Sequence, residues 1–225
     1  MLDASISDQI ADIAGDRTSG AAELGVRAAR ILQSVKAGQL AEAAEAIRSA
    51  QPAMATVFNA AEAARRGDLD AFLERIQRAP GILSGKAAAL CAGRTVLTHS
   101  YSSTVIGALV SGAPAAVICT ESLPGGEGKR AAELLNARLI PDTAVFTALP
   151  KVDLVLVGAD AVLPDAIVNK VGTAAIALAA RLHGKPVFVL CGRDKFVPAE
   201  WQPDLGHLFE KIPRAWFAAI IDDEE

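Results

Sequence analysis

Four polar clusters interrupt the apolar runs in the second half of the chain. They are His99-Ser-Tyr-Ser-Ser-Thr104, Glu121-Ser-Leu-Pro-Gly-Gly-Glu-Gly128, Gly158-Ala-Asp160 with Asn169-Lys-Val-Gly-Thr173 nine residues further on, and Cys191-Gly-Arg-Asp-Lys-Phe196. Each carries groups with a chemical use. The hydroxyls and backbone N–H groups of Ser100–Thr104 stand where a helix is expected to begin, and a helix N-terminus favours an anion through its unpaired donors and dipole; equally, one of these serines can simply cap the helix. Asp160 follows the apolar run Leu154–Val157 and a Gly-Ala pair, so its carboxylate is expected to emerge in a poorly solvated cleft. There it could hold substrate hydroxyls or move a proton, or else pair with Lys170 or cap a turn. Asn169 and Lys170 are expected to open a helix, with the ammonium free to meet a phosphate, Asp160 or water. His99 can donate to a ligand or serve the local structure.

Other patterns carry less. Gly125-Gly126-Glu127-Gly128 fits neither G-x-G-x-x-G nor the phosphate-binding loop that ends in GK[ST], so neither nucleotide fingerprint is present. Cys91, Cys119 and Cys191 are far apart and odd in number, with no C-x-x-C pair, so no disulfide framework or zinc site is expected and no metal or other cofactor is called for. Cys119 reads as a small core residue inside a strand; Cys191, at a strand end, fits that reading less well.

Position along the chain explains why the clusters should meet. After residue 90, short runs rich in Val, Ile and Leu alternate with helical stretches. The strands are expected at Thr95–Thr98, Ala115–Thr120, Ala137–Ile140, Val152–Val157 and Pro186–Leu190, and the helices at Ser103–Val110, Lys129–Asn136, Thr143–Leu149 and Lys170–His183. Fully apolar strands imply burial on both faces, and the alternation predicts a doubly wound parallel sheet whose ligands bind beyond the carboxyl ends of the strands. Before residue 85 the apolar residues recur at helical spacing, as in Leu24, Ala28, Ile31, Leu32 and Val35. Gly38, Gln51-Pro52, Gly67-Asp68 and Pro80-Gly81 punctuate about five helices and no strand is expected there. The fold class is therefore α/β, with a helical N-terminal domain at 1–88 and a Rossmann-like C-terminal domain at 89–225.

Composition excludes several classes. Hydrophobic residues make up 52% of the 225 and charged residues 21%, which is incompatible with a disordered chain. Alanine supplies 46 positions and aromatic residues ten, so the core must be built from small side chains packed closely. A net charge of −4 without a basic stripe leaves no footprint for nucleic acid. Residues 95–120 lack Asp, Glu, Lys and Arg, but His99, four serines, Gly107, Gly112 and Pro114 interrupt them, so no spanning helix and no membrane partner are expected. The acidic opening residues do not read as a secretory signal, and a cytoplasmic location is expected.

Val96-Leu-Thr-His-Ser-Tyr-Ser102, Val117-Ile-Cys-Thr-Glu-Ser122, Ile140-Pro-Asp-Thr-Ala-Val145, Val152–Val162, Asn169-Lys-Val-Gly-Thr173 and Asp194-Lys-Phe196 together resemble the translation initiation factor 2B alpha/beta/delta-subunit family, which includes methylthioribose-1-phosphate and ribose-1,5-bisphosphate isomerases. The resemblance runs in order over residues 91–200. It is weaker in the helical half, at Arg17-Thr-Ser-Gly-Ala21 and Gln51-Pro-Ala-Met-Ala-Thr-Val57. It implies a homodimer and a phosphorylated small molecule held between the two halves. Carried over residue by residue, it makes Arg17, Gly20, His99, Ser100, Tyr101, Ser102, Glu121, Ser122, Gly158, Asn169, Lys170 and Lys195 ligand-binding, and Asp160 catalytic if the protein is an enzyme. The family's isomerases use a cysteine where this chain has Ser100. A thiol with a reference pKa of ~8.5 exchanges a proton near neutrality, which an alcohol without an adjacent base does not. Gln51 and Leu123 replace two further arginines, removing bidentate cations. Three readings follow: a non-catalytic or regulatory binder of a phosphorylated sugar or nucleotide-like metabolite, an aldose–ketose isomerase of altered substrate range using Asp160, or a dimeric translation-factor-like interaction subunit.

Overall fold

A computed structural model of the chain describes residues 2–16 and 18–224. Its first part is helical: α1 (Ala4–Gly15), α2 (Ala21–Ser34), α3 (Leu40–Ala50), α4 (Ala55–Arg66) and α5 (Leu69–Cys91). The apolar faces read from the spacing converge on one core, with Ile13, Leu24, Leu32, Ile47, Val57 and Phe72 at its centre. Alanines 28, 43, 44, 60 and 61 are completely buried, which lets the helices approach closely. α2 and α4 approach closely at Gly25. A Cβ added to Gly25 would lie 2.0 Å from Thr56 Cγ2, so only glycine fits there.

Helix α5 corrects one expectation. Pro80-Gly81 was expected to end a helix, yet the helix runs through both residues to Cys91. Proline removes one i→i−4 hydrogen bond and crowds the preceding turn, but packing on both sides of it outweighs that cost. Phe72, Leu73 and Ile76 belong to the helical core, whereas Ala79, Leu83, Ala87 and Cys91 pack with Val105, Ala108 and Leu109 against the sheet. One helix thus serves both halves.

The remaining elements are β1 (Thr95–Thr98), α6 (Ser103–Gly112), β2 (Ala116–Thr120), α7 (Glu127–Leu134), β3 (Arg138–Ile140), α8 (Val145–Ala148), β4 (Leu154–Val157), β5 (Ala161–Val162), β6 (Ala166–Lys170), α9 (Thr173–Leu182), β7 (Val187–Leu190), β8 (Phe209–Pro213) and β9 (Ala219–Ile221). Six strands form a sheet in the order β3-β2-β1-β4-β7-β9, and every pairing in it is parallel. Alternation along β4 shows why its sequence is apolar throughout. Leu154 and Leu156 face the core with α5 and α6, while Val155 and Val157 face α9, so the sheet is covered on both sides as expected.

Three strands lie in a second sheet that the sequence reading lacks, ordered β5-β6-β8 and antiparallel. Asn169 and Lys170 therefore do not open a helix. They end β6, pairing with Glu210 and Phe209 of β8, and α9 begins only at Thr173 after Gly172, whose φ is +104°. The expected helix at Thr143–Leu149 shrinks to the single turn of α8 with 3₁₀ turns on either side.

Candidate functional site

The chain leaves β1 toward β2 and β3 on one side of the sheet, then crosses to β4 on the other. At such a switch point the segments after the two central strands diverge and leave a crevice. Here those segments are His99–Thr104 after β1 and Gly158–Asp160 after β4. They line a cavity of about 330 Å³ with Asn169 and Lys170 of β6, Lys195, and residues 204–209. Its opposite wall comes from the helical half: residues 18–20 of the loop before α2 with Ala21 and Ala22 of its first turn, and residues 51–54 between α3 and α4.

Most of the expected site residues meet there: Gly20, His99, Ser100, Tyr101, Ser102, Gly158, Asp160, Asn169, Lys170 and Lys195 all line the cavity. Arg17 lies outside the described residues. Glu121 and Ser122 do not line it, and Ser122 acts from behind. Its buried hydroxyl accepts the Ser100 N–H at 2.6 Å, and its own N–H donates to Asp142 at 2.8 Å. This holds Ser100 at φ +67°, a conformation uncommon for a residue with a Cβ.

His99 is occupied on both ring nitrogens. Nε2 stands 2.9 Å from the carbonyl oxygen of Val171, which only an N–H can satisfy, and Nδ1 stands 2.6 Å from Thr120 Oγ1 and 3.2 Å from Ser122 Oγ. Burial lowers its pKa, opposed by the Val171 hydrogen bond and by Asp142, so the imidazole is held neutral. It braces the strand end more than it offers a proton.

Two lysines enter the cavity nearly buried. Lys170 Nζ donates to Glu127 Oε1 at 2.5 Å, while the other carboxylate oxygen of Glu127 is buried with no hydrogen-bond partner among the described residues. Lys195 Nζ lies 3.9 Å from Asp194. Asp160 has its backbone pinned between β6 and α4, through its N–H to Val168 and its carbonyl from the Ala55 N–H. Burial pushes its carboxyl pKa up to about 6 against the opposing pull of Lys195 and Lys170. Ser102 caps α6 by accepting the Val105 N–H at 3.3 Å, as the capping reading of one of these serines expects, and Ser103 and Thr104 of the first turn line the cavity.

The initiation factor 2 subunit family matches residues 68–210, more than half of the chain. The chain belongs to that family. This family member is 40% identical over 114 residues to translation initiation factor eIF2B subunit alpha of Dictyostelium discoideum, covering 46% of this chain and 36% of that protein. It is 32% identical over 166 residues to ribose 1,5-bisphosphate isomerase of Haloferax volcanii, covering 69% of this chain and 50% of that protein. It thus spans half or less of the length of these curated relatives. Among solved structures, the Pyrococcus horikoshii OT3 translation initiation factor eIF-2B shares its fold with a TM-score of 0.87 at 24% identity, over 99% of this chain and 96% of that one.

In this family member the three departures noted in the sequence have local explanations. Ser100 has no base as a hydrogen-bond partner among the described residues, because His99 is already committed. Gln51 spends its amide on the carbonyls of Ile13 and Asp16, at 2.7 and 3.0 Å, and so closes the end of α1 instead of offering a charge. Leu123 is exposed, and only its backbone N–H is used, by Asp142.

Sequence reasoning missed Glu127 and residues 204–209. Glu127 sat in a glycine-rich stretch set aside for lacking a nucleotide fingerprint. Its acidic character at the first turn of α7 was the available signal.

Proposed function

We propose that the protein binds a phosphorylated sugar or nucleotide-like metabolite in this cleft and does not isomerise it. The carrying observation is the pairing of opposite needs in one cavity. Nearly buried Lys170 and the N-terminus of α6 suit a phosphate, while the unpartnered oxygen of Glu127 and the carboxyl of Asp160 suit ligand hydroxyls. Charged groups are kept in poorly solvated places when they have a partner to meet. Against isomerisation stands Ser100, an alcohol with no base beside it.

Titration calorimetry with a panel of sugar phosphates and nucleoside monophosphates tests this reading. At least one member should bind at or below millimolar concentration, with affinity falling about tenfold or more in Lys170→Met and in Lys195→Met. Silence across the panel removes the proposal. The specific observation that favours a second reading is the raised pKa of Asp160, which suits a proton carrier near neutral pH. Aldose–ketose conversion that disappears in Asp160→Asn would put isomerase function in place of simple binding.

A further inference from the structure

A second cavity, of about 650 Å³, lies on the other side of the Arg193–Lys195 turn. Arg66 at the end of α4, Arg75 and Arg78 on one face of α5, and Arg193 all line it, together with Phe72, Ile82 and Phe196. The turn is a shared wall: Arg193 and Asp194 face this groove, whereas Lys195 faces the cleft. None of the groove's arginines belongs to the cleft.

The acidic segment after β9 already sits at one end of the groove. Arg193 Nη1 lies 3.3 Å from Asp222 Oδ2 and its Nη2 lies 2.9 Å from Glu224 Oε2, while its backbone N–H donates to Asp223 at 2.6 Å. Lys86 holds the same segment from outside by donating to the carbonyl oxygens of Asp222 and Glu224. At the other end the balance differs. Arg66 meets Asp68 at 3.3 Å, but Arg75 and Arg78 form no ion pair among the described residues, although Glu74 also lines the groove. Two like charges three residues apart on a helix repel one another, so an anion placed between them relieves an existing strain in the charge distribution.

We propose that this groove is a second anion site, taking a small molecule with at least two phosphate groups, and that Asp222–Glu224 is its built-in competitor. Guanidinium forks suit phosphate because each can donate two parallel hydrogen bonds to it. The carboxylates on Arg193 occupy, with weaker acceptors, the place that one such phosphate takes; Arg75 and Arg78 supply the other. A volume of this order is that of a small-molecule pocket rather than of a flat protein-binding face. The ligand lifts the acidic segment from Arg193 as it binds, so removal of the segment's charge must strengthen binding.

Inorganic pyrophosphate is the probe. Calorimetry in low-salt buffer would be run on the protein with Lys170→Met, which weakens the cleft, so that heat from the groove is read separately. Neutralising the segment with Asp222→Asn, Asp223→Asn and Glu224→Gln should tighten binding about fivefold to tenfold, and raising the salt from about 50 to 500 mM should weaken it. Arg75→Gln with Arg78→Gln should abolish the gain, and Arg75→Lys with Arg78→Lys should keep part of it, which separates lost charge from lost folding. Equal affinity with and without the acidic charges overturns the proposal, as does binding that survives loss of both α5 arginines. Pyrophosphate binding that vanishes with Lys170→Met alone assigns the anion to the cleft and overturns it also, without touching the reading of the cleft.

Discussion

At the scale of single residues, Asp160 carries the sharpest consequence. Its carboxyl is raised by burial from 3.8 to about 6, so between those pH values the folded chain holds a proton that the unfolded chain has released. Stability must then fall as pH rises from about 3.8 to about 6, and stay at its lower level above that. Asp160→Asn removes the burden. The variant should be more stable than the parent by about 3 kcal/mol at pH 8, with the gap closing toward pH 4. Denaturant melts at the two pH values check this, and an advantage independent of pH would mean that desolvation does not govern the group. Asp160 was legible in the sequence because a lone carboxylate directly after a buried strand has few places to go. Glu127 was not, because what makes it part of the site is Lys170, 43 residues away, and no local pattern encodes that meeting.

At the scale of elements, the parallel strands were the most readable feature, since four-residue apolar runs such as Leu154–Val157 admit little besides a strand covered on both faces. The second sheet was hidden for a related reason. β6 ends in Asn169 and Lys170, polar residues that look like the start of a helix beside Gly172-Thr173, and only pairing with β8 some 40 residues later makes them strand. Helix α5 failed the local rule in the opposite sense, with burial at both ends overriding proline. Close packing of small residues makes its own prediction. Gly25→Ala would drive a methyl group into Thr56 Cγ2, 2.0 Å away, in a core where α2 and α4 have no slack. The substitution raises intrinsic helix propensity by about 1 kcal/mol, yet overpacking of about 1–3 kcal/mol should win. Equilibrium unfolding should therefore show a net loss, and a gain in stability would show that α2 can move away from α4 freely.

At the scale of the whole molecule, the cleft exists because one turn of α4 is fastened to two strand-end segments of the sheet half. The Ala55 N–H donates to the Asp160 carbonyl at 3.0 Å, the Thr56 hydroxyl donates to Asp194 Oδ2 at 2.6 Å, and the Asn59 amide donates to the carbonyls of Asp194 and Phe196 at 2.7 and 3.0 Å. Gly192 permits the middle contact, since a Cβ there would stand 2.2 Å from Asp194 Oδ1. Thr56 and Asp194 are both buried, so Thr56→Val keeps the shape but leaves a carboxylate without its donor, at a cost of about 1–3 kcal/mol. The same change should reach the cleft, because Asp194 is the neighbour of Lys195 in both sequence and space. Ligand affinity should fall several-fold in Thr56→Val. It should fall in Asn59→Ala as well, and the double variant should lose less than the sum, because both side chains hold the one turn. Strict additivity, or a stability loss with unchanged affinity, would show that α4 merely covers the sheet half and does not set the position of the cleft lysine.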